Sequence, residues 1–281
     1  IAKIAATGGL VYLAGTFIKH YGVTKAWMFI MLIIAVIMVV VGVYHYAILP
    51  NSNEDSERKP TSLSKSMDEL LKVFLDFFTK KHIVYYICFI TLYRFAEGFV
   101  IKIVPLFLKA PRISQGLGLS EQEIGVYYGT FGAAAFVIGS ILAGYYIAWR
   151  GLQKSLFSLA LVFNIPFVAY TFLALYQPNS MWLIGGGIVM EYFGYGFGFV
   201  GLTLFMMQQV APGKHQMAHY AFASGIMNLG VMLPGMISGY ICDKIGYQHF
   251  FIMVLICTIP ALLITWFVPF SYPDTTEKAK N

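Results

Sequence analysis

The sequence predicts an all-α membrane protein with eight transmembrane helices, set out as two spans, a charged linker and six further spans. Three observations predict it. The 281 residues are 58% apolar and only 11% charged, against about 25% charged in soluble domains. Eight apolar stretches between residues 1 and 270 each approach the ~20 residues that cross a bilayer as a helix, the form that satisfies its own backbone there. Two of them precede residue 51 and six follow residue 80.

The spans are placed at 4–19, 26–48, 83–108, 122–148, 155–176, 181–209, 217–240 and 249–270. The chain opens at Ile1, inside an apolar run, without Met or a basic leader region. A longer gene is therefore expected upstream rather than a cleaved signal. Residues 1–50 then read as the last two helices of an N-terminal bundle. The linker is 51–81. Its first part, Asn51–Pro60, is polar and charge-dense. From Ser64 to Lys80 the apolar residues Met67, Leu70, Leu71, Phe74, Leu75, Phe77 and Phe78 recur at near-helical spacing, flanked by Lys65, Lys72, Lys80 and Lys81. That pattern predicts an amphipathic helix in the cytoplasmic interface. Residues 82–270 form a six-helix C-terminal bundle, and 271–281 a polar cytoplasmic tail.

Within the six-span unit a repeat is visible. Gly144-Tyr145 is followed by Gly151, and Gly239-Tyr240 by Gly246 at the same spacing. The two sites lie three spans apart, so the repeat is inverted, as in transporters built from nested three-span units. Gly125 with Gly129 and Gly235 with Gly239 are small-xxx-small pairs that let helices approach. Pro234 removes a backbone donor, and Gly194, Gly196, Gly198 and Gly201 crowd one span. Bending for gating is expected at Gly194, Gly198, Pro234 and Gly235.

Net charge is +6, yet the basic residues sit mostly between spans, where they set orientation rather than bind nucleic acid. With the linker inside, eleven basic residues are cytoplasmic (Arg58, Lys59, Lys65, Lys72, Lys80, Lys81, Arg150, Lys154, Lys214, Lys278, Lys280) and five are opposite (Lys19, Lys25, Lys109, Arg112, Lys244). Cys88, Cys242 and Cys257 have neither pair spacing nor a His cluster, so no metal, cofactor or disulfide framework is expected. No Ser/His/Asp set and no phosphate-cradling Gly-Lys loop is present. The chain is therefore read as neither an enzyme nor ATP-driven.

Charge inside a span is costly, roughly 2.5–3.5 kcal/mol at a helix centre, and marks a cavity or a partner. Arg94, Glu97, Lys102 and Glu191 lie within spans. Arg94 and Glu97 are three apart and can pair, and Lys102 falls near the same face. Arg94 and Lys102 are read as ligands for an anionic cargo, with Glu97 and Glu191 as proton-carrying groups whose affinity shifts with burial and with nearby cations. A purely structural Arg94–Glu97 pair is the alternative. Tyr192, Asn164 and Asn228 complete the candidate binding set. Asn164 precedes Ile165-Pro166 and can instead bond a carbonyl freed by the proline. Tyr93, Tyr128, Tyr192 and Tyr195 can stack on sugar rings or serve as packing.

The stretches LYRFAEGFVIKIVPLFL (92–108), GLSEQEIG (118–125), GTFGAAAFVIGSILAGYY (129–146), EYFGYGFGFVGLTLFMM (191–207), HQMAHYAFASGIMNLG (215–230) and PGMISGYICDKIGYQHFF (234–251) resemble the AmpG-type muropeptide permeases of the major facilitator superfamily. The resemblance covers about residues 82–270. It implies the major facilitator fold and uptake of N-acetylglucosaminyl-anhydromuramyl peptides across the bacterial inner membrane for cell-wall recycling, by proton symport. Arg94 and Glu97 match a basic and an acidic position of that family's corresponding span. Asp243 keeps the acidic residue of the superfamily's Gly-xxx-Asp loop after Gly239, whereas Ala148 replaces it after Gly144. The expected partners are an anionic sugar-peptide, protons and the bilayer. A sugar, a small peptide or an acyl-CoA-like anion remains an alternative cargo, and a non-transporting membrane sensor an alternative class.

Overall fold

Helices account for nearly all of the computed structural model, which describes residues 8–48 and 63–273. Asn51–Pro60, the tail beyond Pro273, Lys3 and the side chain of Lys65 lie outside the described residues. Helix α1 (Val11–Tyr21) and helix α2 (Val23–Ile48) are joined by Gly22 alone. Helix α3 (Leu63–Phe78) follows. The third predicted span is two helices, α4 (Ile83–Tyr93) and α5 (Phe95–Lys109), broken at Arg94 with φ −105° and ψ 8°. A one-turn helix α6 (Glu121–Ile124), a π-helical segment (Gly125–Phe131) and α7 (Gly132–Arg150) make the fourth. Helices α8 (Leu152–Asn164) and α9 (Phe167–Tyr176) make the fifth, interrupted at Ile165-Pro166. The sixth is α10 (Met181–Phe205) running into a π-helical turn (Met206–Val210). Helix α11 (Gln216–Trp266) holds the last two.

Five of these continuous helical segments are long and apolar enough to cross a membrane. The sequence expects eight spans, and the difference has three sources. The α4–α5 span is split, α1 is described over only 11 residues, and α11 contains a reversal at Gly246. Its first half packs Val231 and Pro234 against Gly98 of α5, and its second half packs Phe250 against Phe99 on that same helix. The two halves therefore lie side by side.

The three single-residue connections share one backbone state: Gly22 (φ 78°, ψ 166°), Gly151 (φ 84°, ψ 151°) and Gly246 (φ 74°, ψ 165°). That region is essentially reserved for glycine. It lets one span end and an antiparallel span begin within a single residue. Gly151 and Gly246 are the matched ends of the sequence repeat.

Two apolar clusters fill the bundle. One gathers Phe99, Phe107, Ile188, Phe250 and Phe251, the other Tyr86, Phe89, Leu156, Phe163 and Phe205. Polar clasps close both ends. At one, the Arg112 guanidinium donates to the carbonyls of Gln177 and Pro178 at 2.8 and 3.0 Å. At the other, Lys80 Nζ donates to the carbonyls of Val210, Ala211 and Pro212 at 2.6, 3.1 and 2.7 Å, which satisfies the carbonyls a helix C-terminus leaves open. Beside it, Gln209 accepts from the backbone of Ser271 and Tyr272 at 2.8 and 3.0 Å and donates to the Tyr272 carbonyl at 2.9 Å.

Candidate functional site

Between α5, α9, α10 and the π-helical segment lies a cavity of ≈ 210 Å³. Helix α5 lines it with Glu97, Val100, Ile101 and Val104. Those positions are spaced i, i+3, i+4 and i+7, so they form one helical face. Helix α10 contributes Glu191, Tyr192 and Tyr195, α9 contributes Tyr170, and the π-helical segment contributes Tyr128. A π-helical turn inside a membrane span often marks a functional site, and here it delivers a tyrosine to the wall.

Arg94 and Glu97 form a two-pronged pair, Nε to Oε2 at 2.6 Å and Nη2 to Oε1 at 2.7 Å. Both are nearly sealed from solvent, 6% and 4% exposed. The break at Arg94 releases that residue from the helix, and its side chain turns down over the first turn of α5. There it also donates to the Tyr195 hydroxyl at 3.4 Å. Its guanidinium carbon lies 5.1 Å from the Phe199 ring centre and 5.8 Å from that of Tyr195. A fork-to-fork pair is the strong form of this interaction, and the flanking rings add cation–π attraction.

Glu191 is 9% exposed and accepts from the Tyr170 hydroxyl at 3.3 Å. The Tyr128 and Tyr192 rings meet edge to face at 5.0 Å and 88°. Gly132 makes this possible, since a Cβ there would stand 2.8 Å from the Tyr192 ring. Tyr128 and Tyr195 lie within electrostatic reach of both Glu97 and Glu191. The result is a small chamber with two buried carboxyl groups, one matched by a cation and the other facing phenols. Such a chamber can hold or release a proton and can present hydroxyl donors and aromatic faces to a polar ligand.

Sequence reasoning and structure part company at several residues. Lys102 is exposed and does not line the cavity. Lys102 lies five residues past Glu97 and one past Ile101, about 140° and 100° around α5 from those two residues of the cavity face. It rests instead against Gly235. Asn228 is exposed as well. Asn164 is buried at 3%, but its amide donates to the Ala160 carbonyl at 2.8 Å, not to the Val162 carbonyl that Pro166 leaves free. The residue that meets that freed carbonyl is Gly194, whose missing side chain also makes room for Pro166. Gly198 likewise admits Phe163 and the Leu159 carbonyl, and Tyr93 bonds the Gly198 carbonyl at 2.9 Å. Helix α10 runs unbroken through both glycines, and the α11 backbone stays helical through Pro234 and Gly235. Tyr170 went unread in the sequence. Its signal is a phenol in the middle of a mostly apolar helix, where a buried hydroxyl requires a partner.

Comparison with known proteins is consistent with this architecture. The family model described as Major Facilitator Superfamily matches residues 4–212. AmpG 2 of Rickettsia prowazekii (strain Madrid E), a transporter by its given name, is 25% identical over 221 residues, covering 75% of this chain and 50% of that protein. AmpG 1 of Rickettsia bellii (strain RML369-C) is 23% identical over 271 residues, covering 93% of this chain and 61% of its own length. A protein of Haemophilus influenzae without a functional name is 22% identical over 204 residues, covering 69% of this chain and 46% of that protein. The chain thus spans about half to three-fifths of the length of these relatives.

Proposed function

This chain belongs to the Major Facilitator Superfamily, and from that premise we propose that it carries an anionic sugar-peptide of the muropeptide class inward, coupled to protons. It is a multi-pass membrane transporter and not an enzyme. The single observation that carries the finer reading is the chamber holding Glu97 and Glu191 against Arg94 and four tyrosines. Buried carboxyl groups in a membrane span are expensive unless they serve a path for ions or protons. In this reading Glu191 takes and releases the proton. An incoming carboxylate competes with Glu97 for Arg94, so cargo and proton binding are linked through one charge balance. Tyr128, Tyr192 and Tyr195 offer rings and hydroxyls to the sugar. The AmpG names of the relatives support the cargo class.

The domain arrangement is part of the proposal: 1–50 closes an N-terminal bundle, 82–270 forms the C-terminal one that alone lines the chamber, and the two bundles rock against each other. The excess of basic residues at the Lys80 end supports a cytoplasmic linker and C-terminus in a bacterial inner membrane. A second reading, a smaller sugar or peptide, draws support from the chamber's ≈ 210 Å³, below the ~300–1,000 Å³ common for ligand clefts. The test is uptake of labelled anhydromuropeptide by cells that lack their own muropeptide permease and express the gene encoding this chain. Uptake abolished by a protonophore is expected. No uptake from protein that reaches the membrane would reject the cargo, and competition with sugars and small peptides would then identify the replacement.

A further inference from the structure

A second cavity lies far from the chamber, at the end of the bundle closed by Lys80. It measures ≈ 730 Å³ and is walled by Glu69, Leu70, Lys72 and Val73 of α3 and by Lys214 and His215 of the α10–α11 turn. We propose that this cleft is a binding site for the phosphate of an anionic membrane phospholipid, and that α3 lies in the bilayer surface beside it.

The placement of α3 comes first. Its Val73 carbonyl meets His219 Nε2 at 3.2 Å, and Phe77 and Phe74 pack edge-on against Phe222, each with ring centres 5.7 Å apart. His219 and Phe222 belong to the opening turns of α11, a membrane-crossing helix. So α3 lies where that helix enters the bilayer. Three faces follow from its 100° per residue. Val73 and Phe77 face the protein. Asp68, Glu69, Lys72 and Asp76 form the polar face. Between them run Met67, Leu70, Leu71, Phe74, Leu75 and Phe78, spaced i, i+3, i+4, i+7, i+8 and i+11, all between 46% and 61% exposed. An apolar stripe flanked by one protein face and one charged face, at this depth, matches an interfacial helix.

The charges of the cleft point to the headgroup. Lys72 and Lys214 are both exposed, and among the described residues neither forms an ion pair. The His215 Nε2 stands 3.9 Å from Asp76 Oδ2, a carboxylate at the rim of the cleft and not on its wall. Among the described residues, Glu69 is the acidic residue on the wall. On the wall itself two ammonium groups stand against one carboxylate, with Asp68 and Asp76 outside it on the polar face of α3, and Leu70 and the apolar stripe lie beside it for acyl chains. Basic residues at a membrane surface attract anionic lipid in this way. Free phosphate shares the headgroup chemistry but has no use for the stripe.

Native mass spectrometry of the purified full chain tests the proposal, with dioleoylphosphatidylglycerol and dioleoylphosphatidylcholine offered in turn. Retention of the glycerol lipid is expected to exceed that of the choline lipid about tenfold. The variant Lys72→Ala with Lys214→Ala should lose that preference, and Lys72→Arg with Lys214→Arg should keep it. Millimolar inorganic phosphate should leave the bound lipid in place. Equal retention of both lipids, retention unchanged in the alanine pair, or displacement by phosphate would each overturn the proposal, the last by identifying a soluble phosphate site.

Discussion

Removing one partner of the Arg94–Glu97 pair should destabilise the protein far more than removing both. Each group is nearly sealed from solvent, at 6% and 4% exposure, and their two hydrogen bonds measure 2.6 and 2.7 Å. Breaking a buried pair typically costs about 3–5 kcal/mol, because the survivor is left as an uncompensated charge. In Glu97→Gln the guanidinium keeps the rings of Phe199 and Tyr195 at 5.1 and 5.8 Å, an attraction already present in the parent protein that cancels in the comparison. The expected cost is therefore about 3–5 kcal/mol, a fall in Tm on the order of 10 °C for a chain of this size. Arg94→Met alone leaves a buried carboxylate and loses that attraction, so it should reach the upper part of that range. The double variant Arg94→Met with Glu97→Leu should recover most of the loss, since apolar replacement of a buried pair is often neutral. Thermal unfolding of the four proteins in detergent gives the cycle. Single variants within about 0.5 kcal/mol of the parent, the range of an ordinary surface substitution, would refute the reasoning. So would a double variant less stable than either single one.

Three further outcomes follow from the geometry. Lys102→Ala should leave uptake kinetics unchanged, because Lys102 lies off the cavity wall; a large rise in KM would restore the cationic stripe read from the sequence. Gly246→Ala should lower stability by about 1–3 kcal/mol, since its φ of 74° and ψ of 165° strain any other residue, whereas Gly42→Ala, inside α2 with open space around it, should leave Tm unchanged or raise it, because alanine is the better helix former. Lys80→Met should lower Tm by leaving three carbonyls, of Val210, Ala211 and Pro212, without their donor, and hydrogen exchange should rise first at 206–215.

What the sequence made legible follows its periodicities. Spans announce themselves by apolar length, and the amphipathic spacing of 64–80 located α3 (Leu63–Phe78). Arg94 and Glu97 were readable as a pair because three-residue spacing brings side chains together even where the helix begins. Lys102 was misplaced. Eight residues from Arg94 turn a helix about 80° and five from Glu97 about 140°, so Lys102 falls off the pair's face with or without the break at Arg94. Tyr170 and Tyr128 reach the chamber only through tertiary packing, which periodicity along one helix cannot express. The glycines of α10 illustrate the same limit. Their composition suggested a loose helix, while their neighbours show that Gly194 and Gly198 admit the backbone and proline of the α8–α9 span.

The most direct test of the transport account separates proton coupling from cargo binding in Glu191→Gln. In proteoliposomes, anhydromuropeptide uptake driven by an imposed proton gradient is compared with counterflow exchange of the same cargo without a gradient. The account predicts that the variant loses gradient-driven accumulation and keeps exchange, because only the proton-carrying group has been removed. Gradient-driven uptake equal to that of the parent protein would contradict it, and would take Glu191 out of the proton path.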